Sequence, residues 1–366
     1  MSQVTEEPSV EDKAGAFAER LFGAALGATD LLLIDLGQRL ELYAPLVGSA
    51  ALTSGELAQQ TGCSERYVRE WLEHQASTGI LEVDDAGNDA DRRRYSLPDA
   101  HAEVLLNKDS LAYGGALAKL PVVLGRAVEW VADAFKTGEG VPYERYGAEG
   151  VEVQAEFTNA MFKNLLASEW FPAIPEVHSR LQSDPPARVA DIACGAGVAA
   201  IEIAKAYPKV HVDGFDLDEF SIDLARRAAK EAGVDDRVRF EVRDVADESL
   251  AGVYDVISIF EALHDMSNPV GAVRSAKRML AEGGVLIVAD ENTGASFAEP
   301  GPLDSFYYGV SVLYCLPQSL SEQPSAAIGT VIRAATMESL AKEAGFREME
   351  TLPIENDFWR FYRFVL

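Results

Sequence analysis

The stretch Val189-Ala-Asp-Ile-Ala-Cys-Gly-Ala-Gly-Val-Ala-Ala200 predicts a strand, a glycine turn and a helix in direct succession. Gly195 and Gly197 remove side chains where the backbone must turn tightly and approach a ligand. The residues that follow, 198–207, have the composition of a helix whose N-terminus faces that ligand. The stretch therefore predicts a nucleotide-type binding loop. Because Ala200 stands where the dinucleotide-binding fingerprint Gly-X-Gly-X-X-Gly/Ala has its third small residue, the stretch also satisfies that fingerprint.

Asp191 indicates whether the ligand is a dinucleotide or another nucleotide-like cofactor. It stands four residues before the first glycine, at the end of the strand. A dinucleotide pyrophosphate would meet a like charge there. S-adenosylmethionine carries an ammonium and a sulfonium and no phosphate, so this carboxylate favours it over NAD. We therefore expect S-adenosylmethionine to be the cofactor, with Asp191, Gly195 and Gly197 among its binding residues.

The next strands also end in polar residues. Segment 210–216 ends at Asp216, which is placed to accept hydrogen bonds from a ribose diol, and segment 238–244 ends at Asp244. A fourth segment, 254–260, leads into Glu261-Ala-Leu-His-Asp-Met-Ser-Asn-Pro269. A single Asp at such a position can simply cap a helix. Acids at three consecutive strand ends favour one shared crevice, as in open α/β sheets.

The remaining segments complete the predicted fold class. Residues 283–290 form a fifth apolar strand, and the chain closes with two strand-like segments, 346–354 and 358–366. We predict an α/β protein with a Rossmann-like parallel sheet and an antiparallel last strand. This ending resembles the class I methyltransferases that use S-adenosylmethionine.

Composition limits the other possibilities. The 366 residues are 48% hydrophobic, which is enough for two cores, and no apolar run is long enough to cross a membrane. The N-terminus is acidic and lacks a signal-peptide pattern, so we expect a cytoplasmic protein. Three distant cysteines give no metal-binding pair, and we expect no metal. The net charge of -27 disfavours nucleic acid and anionic membranes as partners.

The N-terminal part predicts a winged helix. Segments 53–64 and 65–83 read as helix, glycine turn, capped helix and strand, and 84–97 as a wing with its returning strand. DNA binding is the obvious interpretation, but the first 100 residues contain 8 Lys or Arg against 18 Asp or Glu. We expect a dimerisation module instead, with the apolar segment 17–46 supplying a buried seam and the protein forming a homodimer.

Taken together, the two parts resemble small-molecule methyltransferases with an N-terminal winged-helix dimerisation domain, most closely an actinobacterial group of that type. The resemblance rests on segments 137–147, 191–197, 214–218, 260–266 and 307–317. We predict a winged-helix domain over 1–105, a helical linker and cap over 106–183, and a methyltransferase domain over 184–366. The last of these contains an insertion at 291–332 that reads as a lid.

The segment Leu263-His264-Asp265 also resembles plant-type O-methyltransferases, in which this histidine is the general base that deprotonates a phenol. An imidazole titrates near neutrality and can receive the hydroxyl proton during methyl transfer. The alternative is that His264 packs after the fourth strand and forms hydrogen bonds with the cofactor or backbone. Glu291 is a second candidate base. Met266 stands where the plant pattern has Trp, which leaves the phenolic substrate class open.

The sequence thus predicts methyl transfer from S-adenosylmethionine to a small-molecule acceptor, through O-methylation with His264 as base. An N- or C-methyltransferase that works by proximity alone is the alternative, and a cofactor-sensing DNA-binding regulator is a different class. The resemblance places Asp244 beside the adenine. We also assign cofactor contacts to Leu217, Val245, Phe260 and Tyr146, and substrate contacts to Phe162, Tyr308 and Tyr143.

Overall fold

The computed structural model describes residues 9–48, 51–245 and 253–366. The chain divides into two compact units, Met1–Val122 and Val123–Leu366. Within the described residues, no helix is both long enough and apolar enough to cross a membrane. The finer predicted division, with a linker over 106–183, stays a prediction.

The first unit has the predicted winged-helix pattern. Its described elements are α1 (Val10–Arg39), α2 (Ser54–Thr61), α3 (Glu65–Ser77), β1 (Glu82–Asp84), β2 (Arg94–Ser96) and α4 (Asp99–Leu106). Thr53 and Glu56 form a capping box that starts α2, and Gly62 ends it in the left-handed conformation. Strands β1 and β2 pair antiparallel as the wing. The Trp71 indole of α3 donates to the Leu33 carbonyl 2.9 Å away and ties α3 to α1.

The remainder of the chain contains helices and a large sheet. The helices are α5 (Gly115–Thr137), α6 (Gly147–Leu165), α7 (Pro175–Gln182), α8 (Val198–Ala206), α9 (Glu219–Glu231), α10 (Pro269–Met279), α11 (Asp304–Val310), α12 (Leu316–Ser319) and α13 (Ala334–Glu343). The strands are β3 (Arg188–Ile192), β4 (His211–Asp216), β5 (Val238–Val242), β6 (Tyr254–Phe260), β7 (Leu280–Glu291), β8 (Glu348–Thr351) and β9 (Trp359–Val365).

The seven strands are arranged in the order β5-β4-β3-β6-β7-β9-β8. The first five strands run parallel, and β9 runs antiparallel to both of its neighbours, β7 and β8. This arrangement confirms the predicted fold class. Alternate residues of the central strands enter two different cores, as Val189 and Ala190 show. Both faces of the sheet are covered, which explains the continuous apolar composition of its strands.

The order of the strands also fixes where a ligand can bind. After β3 the chain builds the sheet outward through β4 and β5, and then returns to the other side of β3 with β6. This reversal is a topological switch point, and the crevice lies outside the carboxyl ends of β3 and β6. Two predicted elements differ in their limits. Strand β5 ends at Val242, before Asp244, and within the predicted helical segment 106–183 a π-helical turn at Leu166–Trp170 separates α6 from α7.

Candidate active site

The loop between β3 and α8 forms the floor of the crevice. Its backbone takes left-handed φ angles at Ala193 (+55°), Gly195 (+51°) and Gly197 (+77°). A side chain at Gly197 would also meet the Phe240 ring, with a Cβ only 2.5 Å from the nearest ring atom. Gly197 is therefore required by both conformation and packing. The left-handed conformation of Ala193 was not predicted, because alanine has no preference for it.

Asp191 lies at the end of β3 and is 2% exposed. Its Oδ1 accepts a hydrogen bond of 2.7 Å from the Ser258 hydroxyl of β6, whereas its Oδ2 is buried without a partner. Burial, reinforced by the negative charge of Asp216, raises the pKa of Asp191 to about 7. A cationic or hydrogen-bond-donating ligand would complete the coordination of this carboxylate.

Asp216 links β4 to the binding loop. Its Oδ2 accepts the Gly195 backbone N–H at 2.8 Å, and its Oδ1 accepts the Asp218 backbone N–H at 2.9 Å. Burial raises the pKa of Asp216, although these two backbone donors act in the opposite direction. Each carboxylate oxygen has a second lone pair, which a ribose hydroxyl could use. The carboxylate thus holds the loop and remains able to accept from a ligand.

A cavity of about 100 Å³ opens beside this loop. Asp191, Gly195 and Phe260 line it, as do Tyr143 and Phe162. A small-molecule site usually occupies about 300–1,000 Å³, so side chains of the walls must move to admit a complete cofactor and acceptor. The cavity therefore brings together three of the predicted cofactor residues and two of the predicted substrate residues.

Other predicted cofactor residues lie outside the lining of this cavity. Leu217 is 57% exposed just after β4, and Asp244 is exposed after β5. Val245 is buried in the core, next to residues that lie outside the described part of the chain. Tyr146 is buried, and its hydroxyl donates to the Leu313 carbonyl at 2.9 Å. Their contacts with a cofactor stay predictions.

His264 follows β6 and is 2% exposed. Its Nδ1 lies 2.7 Å from Asp290 Oδ1 and 3.1 Å from Glu291 Oε2, both at the end of β7. Its Nε2 lies 3.2 Å from Asp265 Oδ1. We assign the Nδ1 proton to the hydrogen bond with Asp290, because this contact is the shorter one and has hydrogen-bonding geometry.

The charges of this cluster are strongly coupled. Burial by itself lowers the pKa of His264, but the carboxylates of Asp265, Glu291 and Asp290 raise it well above its usual range. Burial raises the pKa of Glu291 well above its usual range. Burial opposes ionisation of Asp290 too, but His264 holds its pKa below the usual value. Asp290 is therefore the charged partner of His264, and Glu291 is the carboxyl group that retains a proton.

Glu261 is a residue of the cavity that sequence reasoning missed. It directly follows β6 with a left-handed φ of +54°, and it lines the same cavity as Asp191 and Gly195. Burial, opposed by the charge of His264, raises the pKa of Glu261 to about 8. Its position directly before Ala-Leu-His-Asp was visible in the sequence. Asp290 was also missed as the partner of His264, although two consecutive acids at the end of a buried strand could have indicated it.

Within the described residues, two groups of side chains that include His264 have donor atoms close enough together to hold a metal ion. One combines His264 with Asp290 and Glu291, and the other combines it with Asp265 and Cys315. In each set the donor atoms lie within 4.8 Å of one another. The expectation that no metal takes part stays a prediction.

The three predicted substrate residues differ in position. Tyr143 and Phe162 line the cavity, and Phe162 also packs against Phe260 with ring centroids 5.6 Å apart. Tyr308 lies on α11, 40% exposed, and its hydroxyl is 3.2 Å from Arg333 Nη2. It does not line this cavity, so a substrate contact of Tyr308 stays a prediction.

Two family models match the chain. A "Methyltransferase domain" model matches residues 183–345, and an "Rv2258c-like winged HTH domain" model matches residues 28–107. The second match agrees with the helices and wing of the first unit. The first match contains the binding loop, Asp216 and the His264 cluster.

Characterised relatives match parts of the chain. The 27-O-demethylrifamycin SV methyltransferase of Amycolatopsis mediterranei (strain S699) is 38% identical over 104 residues, which are 28% of this chain and 38% of that protein. The ubiquinone biosynthesis O-methyltransferase of Bordetella avium (strain 197N) is 28% identical over 209 residues, 55% of this chain and 78% of that protein. This chain thus spans less than half of the first relative and about three quarters of the second.

A solved structure is similar over the whole length. Human N-acetylserotonin methyltransferase, determined in complex with S-adenosylmethionine, superposes with a TM-score of 0.65 at 17% identity, covering 100% of this chain and 99% of that one. At this identity the likeness supports the fold. Together with the two family models, it shows that the chain combines a winged helix-turn-helix domain with a methyltransferase domain.

Proposed function

We propose that the protein transfers a methyl group from S-adenosylmethionine to a hydroxyl group of a small molecule. The observation that carries this proposal is the buried, unpartnered Oδ2 of Asp191 at the cavity. It fits an ammonium donor and repels a pyrophosphate. The methyltransferase domain and the O-methyltransferases among the relatives support the same reaction.

The residues that hold the cofactor in this proposal come from the crevice. Asp191 receives the ammonium group, the backbone of Gly195 and Gly197 lets the ligand approach closely, and Asp216 accepts from the ribose hydroxyls. When bound, S-adenosylmethionine supplies an electrophilic methyl group on a positively charged sulfur. Phe260 and the assigned residues Leu217, Asp244, Val245 and Tyr146 complete the proposed cofactor site.

His264 is the proposed general base, with Glu291 as the second candidate. Because Nδ1 donates to the charged Asp290, Nε2, which lies 3.2 Å from Asp265 Oδ1, is the nitrogen that accepts the proton once the imidazole is neutral. The arrangement of a carboxylate behind an imidazole fixes both its tautomer and its orientation. Deprotonation matters for a hydroxyl acceptor. An amine or carbon acceptor that reacts by proximity alone would not need a base to remove a proton. The presence of an imidazole held by a carboxylate therefore favours O-methylation.

Labelled S-adenosylmethionine, incubated with a panel of phenols, aliphatic alcohols, amines and keto acids, tests the reaction. We expect label to appear on a hydroxyl oxygen, with the Asp191→Asn variant unable to bind cofactor. Label on nitrogen or carbon would identify the alternative reaction. Calorimetry with NAD and with S-adenosylhomocysteine provides the cofactor test, and NAD binding without S-adenosylhomocysteine binding would refute the proposal.

We further propose that the protein is a homodimer formed through α1. This 30-residue helix exposes several large apolar side chains. Phe17, Leu21, Phe22 and Leu26 are each more than half exposed. Apolar area of this kind usually marks an interface. Light scattering should show a dimer for the full chain and a monomer for the double variant Leu21→Asp/Phe22→Asp. A monomeric wild type at micromolar concentration would refute the proposal.

We propose that nucleic acid is not a partner, despite the winged helix. The arginines of α3 are engaged with glutamates of the same helix: Arg66 pairs with Glu70, and Arg69 with Glu65 at 2.6 Å. Arg93 of the wing pairs with Glu73 at 2.8 Å. Phosphate contacts need free basic groups. A mobility-shift experiment at physiological salt should show no complex, and a stable complex would favour the regulator hypothesis.

A further inference from the structure

Glu261, Asp265, Asp290 and Glu291 form an acidic cluster around one imidazole, that of His264. His264 is the ion-pair partner of the last three, and within the described residues no Lys or Arg forms an ion pair with any member of the cluster. One imidazolium can balance one carboxylate at most. The cluster is therefore either partly protonated or matched to a positively charged ligand.

Unpartnered atoms show that the cluster lacks a donor. Glu261 Oε2 and Asp290 Oδ2 are buried without a hydrogen bond, whereas Asp265 Oδ1 and Glu291 Oε2 share the imidazole of His264, at 3.2 and 3.1 Å. The side chains of Asp290 and Glu291 are 0% and 5% exposed. Buried polar atoms in folded proteins nearly always have partners. Two such oxygens, beside two more that share a single imidazole, point to a bound group that donates hydrogen bonds.

Glu261 is the member of the cluster that lines the cavity. A second carboxylate of the lining, that of Asp191 in β3, is used by the cofactor in the proposed function. The aromatic side chains of Tyr143, Phe162 and Phe260 line the same cavity. Aromatic faces next to a carboxylate are the usual surroundings of an ammonium group. A neutral hydroxyl could donate to Glu261 as well, so an amine and an alcohol of otherwise equal structure are the pair of ligands that distinguishes the two donors.

We propose that the methyl acceptor carries an ammonium group close to the hydroxyl that is methylated, and that Glu261 binds this ammonium. Glu261 is then a residue that determines acceptor specificity, and anionic acceptors such as aryl carboxylates are excluded. This inference rests on the proposed function, because it takes the cavity as the acceptor site. The raised pKa of Glu261 is consistent with it. Without a cation Glu261 keeps its proton at pH 7, and an ammonium displaces that proton.

Three small phenols that differ in one group provide the test: 3-hydroxybenzylamine, 3-hydroxybenzyl alcohol and 3-hydroxybenzoate. Their affinities are measured by calorimetry on the full chain, saturated with S-adenosylhomocysteine. We expect the amine to bind roughly 10-fold to 100-fold more tightly than the alcohol, as for a hydrogen bond to a charged group, and the benzoate not to bind. Binding of the amine at pH 7 should release protons, seen as a dependence of the heat on the buffer.

Glu261→Gln should reduce the affinity for the amine to that for the alcohol and leave S-adenosylhomocysteine affinity within about twofold. Glu144→Gln is the matched control, because Glu144 is exposed beside Tyr143. Equal affinities for the three phenols, or no binding of any, would overturn the inference, and so would a loss of S-adenosylhomocysteine binding in Glu261→Gln. The same calorimetry with zinc chloride or magnesium chloride tests for a metal ion. Binding of either ion that requires Glu261 and prevents binding of the amine would overturn the inference too. Wild type that fails to bind S-adenosylhomocysteine would instead refute the proposed function.

Discussion

The helix-turn-helix region and the His264 region use the same acidic residue types in opposite ways. Glu65, Glu70 and Glu73 of α3 are partly or fully exposed and pair with arginines. Two of these arginines belong to α3, and the third, Arg93, belongs to the wing. Around His264, Asp290 and Glu291 are buried and share one imidazole. Surface pairs in water contribute little free energy, whereas buried charges with too few partners interact strongly with each other and with any ligand.

This difference shows which acids bear on function. The chain has 59 Asp and Glu residues, and many of those in the described part are exposed, where they need no explanation beyond solvation and surface pairing. The carboxylates with strongly raised pKa values, Asp191, Glu261 and Glu291, all lie in the crevice region of the methyltransferase domain. Perturbed titration of clustered groups beside a cavity is typical of an active site. Mutations in the two regions should therefore have very different effects.

The largest effect is expected at the centre of the buried cluster. His264→Gln should lower turnover by roughly 100-fold to 10,000-fold, the usual range for a lost general base, with S-adenosylhomocysteine affinity nearly unchanged. Wild-type turnover should rise with pH through the raised pKa of His264, because the neutral imidazole must accept the proton. Steady-state kinetics and calorimetry on the same samples provide the measurement.

His211→Gln is the control for this variant, since His211 is exposed on β4. A parallel loss of turnover and cofactor affinity in His264→Gln would assign His264 a structural role. Full turnover with an authentic acceptor would exclude His264 as the base and favour Glu291 or proximity alone.

A smaller effect is expected at the cofactor end of the crevice. Asp216→Ala removes a charged acceptor and also releases the Gly195 N–H. It should weaken S-adenosylhomocysteine binding by about 1.5–3 kcal/mol, the contribution of a hydrogen bond to a charged group. Calorimetry measures this, with exposed Asp235→Ala as the control. An unchanged affinity would mean that the end of β4 does not contact the ribose.

Asp191 should show a conflict between stability and binding. Its pKa is about 7 in the folded protein, against 3.8 for an ordinary Asp, so ionisation destabilises the ligand-free fold as pH rises from about 4 to about 7. Asp191→Asn should therefore be more stable than wild type at pH 8 by about 1 kcal/mol or more, with no difference near pH 4. Thermal unfolding across this range measures the effect. A variant less stable than wild type at pH 8 would contradict the burial of an unsatisfied charge.

The sequence was sufficient for the sheet and the binding loop because both depend on local patterns. The Asp191 to Gly197 stretch combines an apolar strand with glycines whose φ angles are positive in the structure, and no distant residue is needed to recognise it. The winged helix was recognisable for the same reason, through the capping box at Thr53 and the glycine at 62.

The His264 cluster could be predicted only in part because it is assembled from distant segments. His264 and Asp290 are 26 residues apart and meet only when β6 and β7 pair. The role of Glu261 depends on a left-handed turn that places its side chain at the cavity, and no propensity of Glu indicates such a turn. Tyr308 was predicted from its aromatic surroundings, but its position depends on how α11 packs, which the local sequence does not determine.

The smallest effect is expected on the surface of α3. Arg66→Ala breaks the pair with Glu70, in which both side chains are about two-thirds exposed. Exposed pairs spaced four residues apart on a helix contribute about 0.3–0.5 kcal/mol, and salt screens them. The variant should therefore change the free energy of unfolding by no more than about 0.5 kcal/mol, with turnover and cofactor affinity unchanged. Denaturant unfolding at low and high salt measures this. A loss above about 1 kcal/mol, or any loss of turnover, would show that the acids of the winged helix do more than solvate its surface.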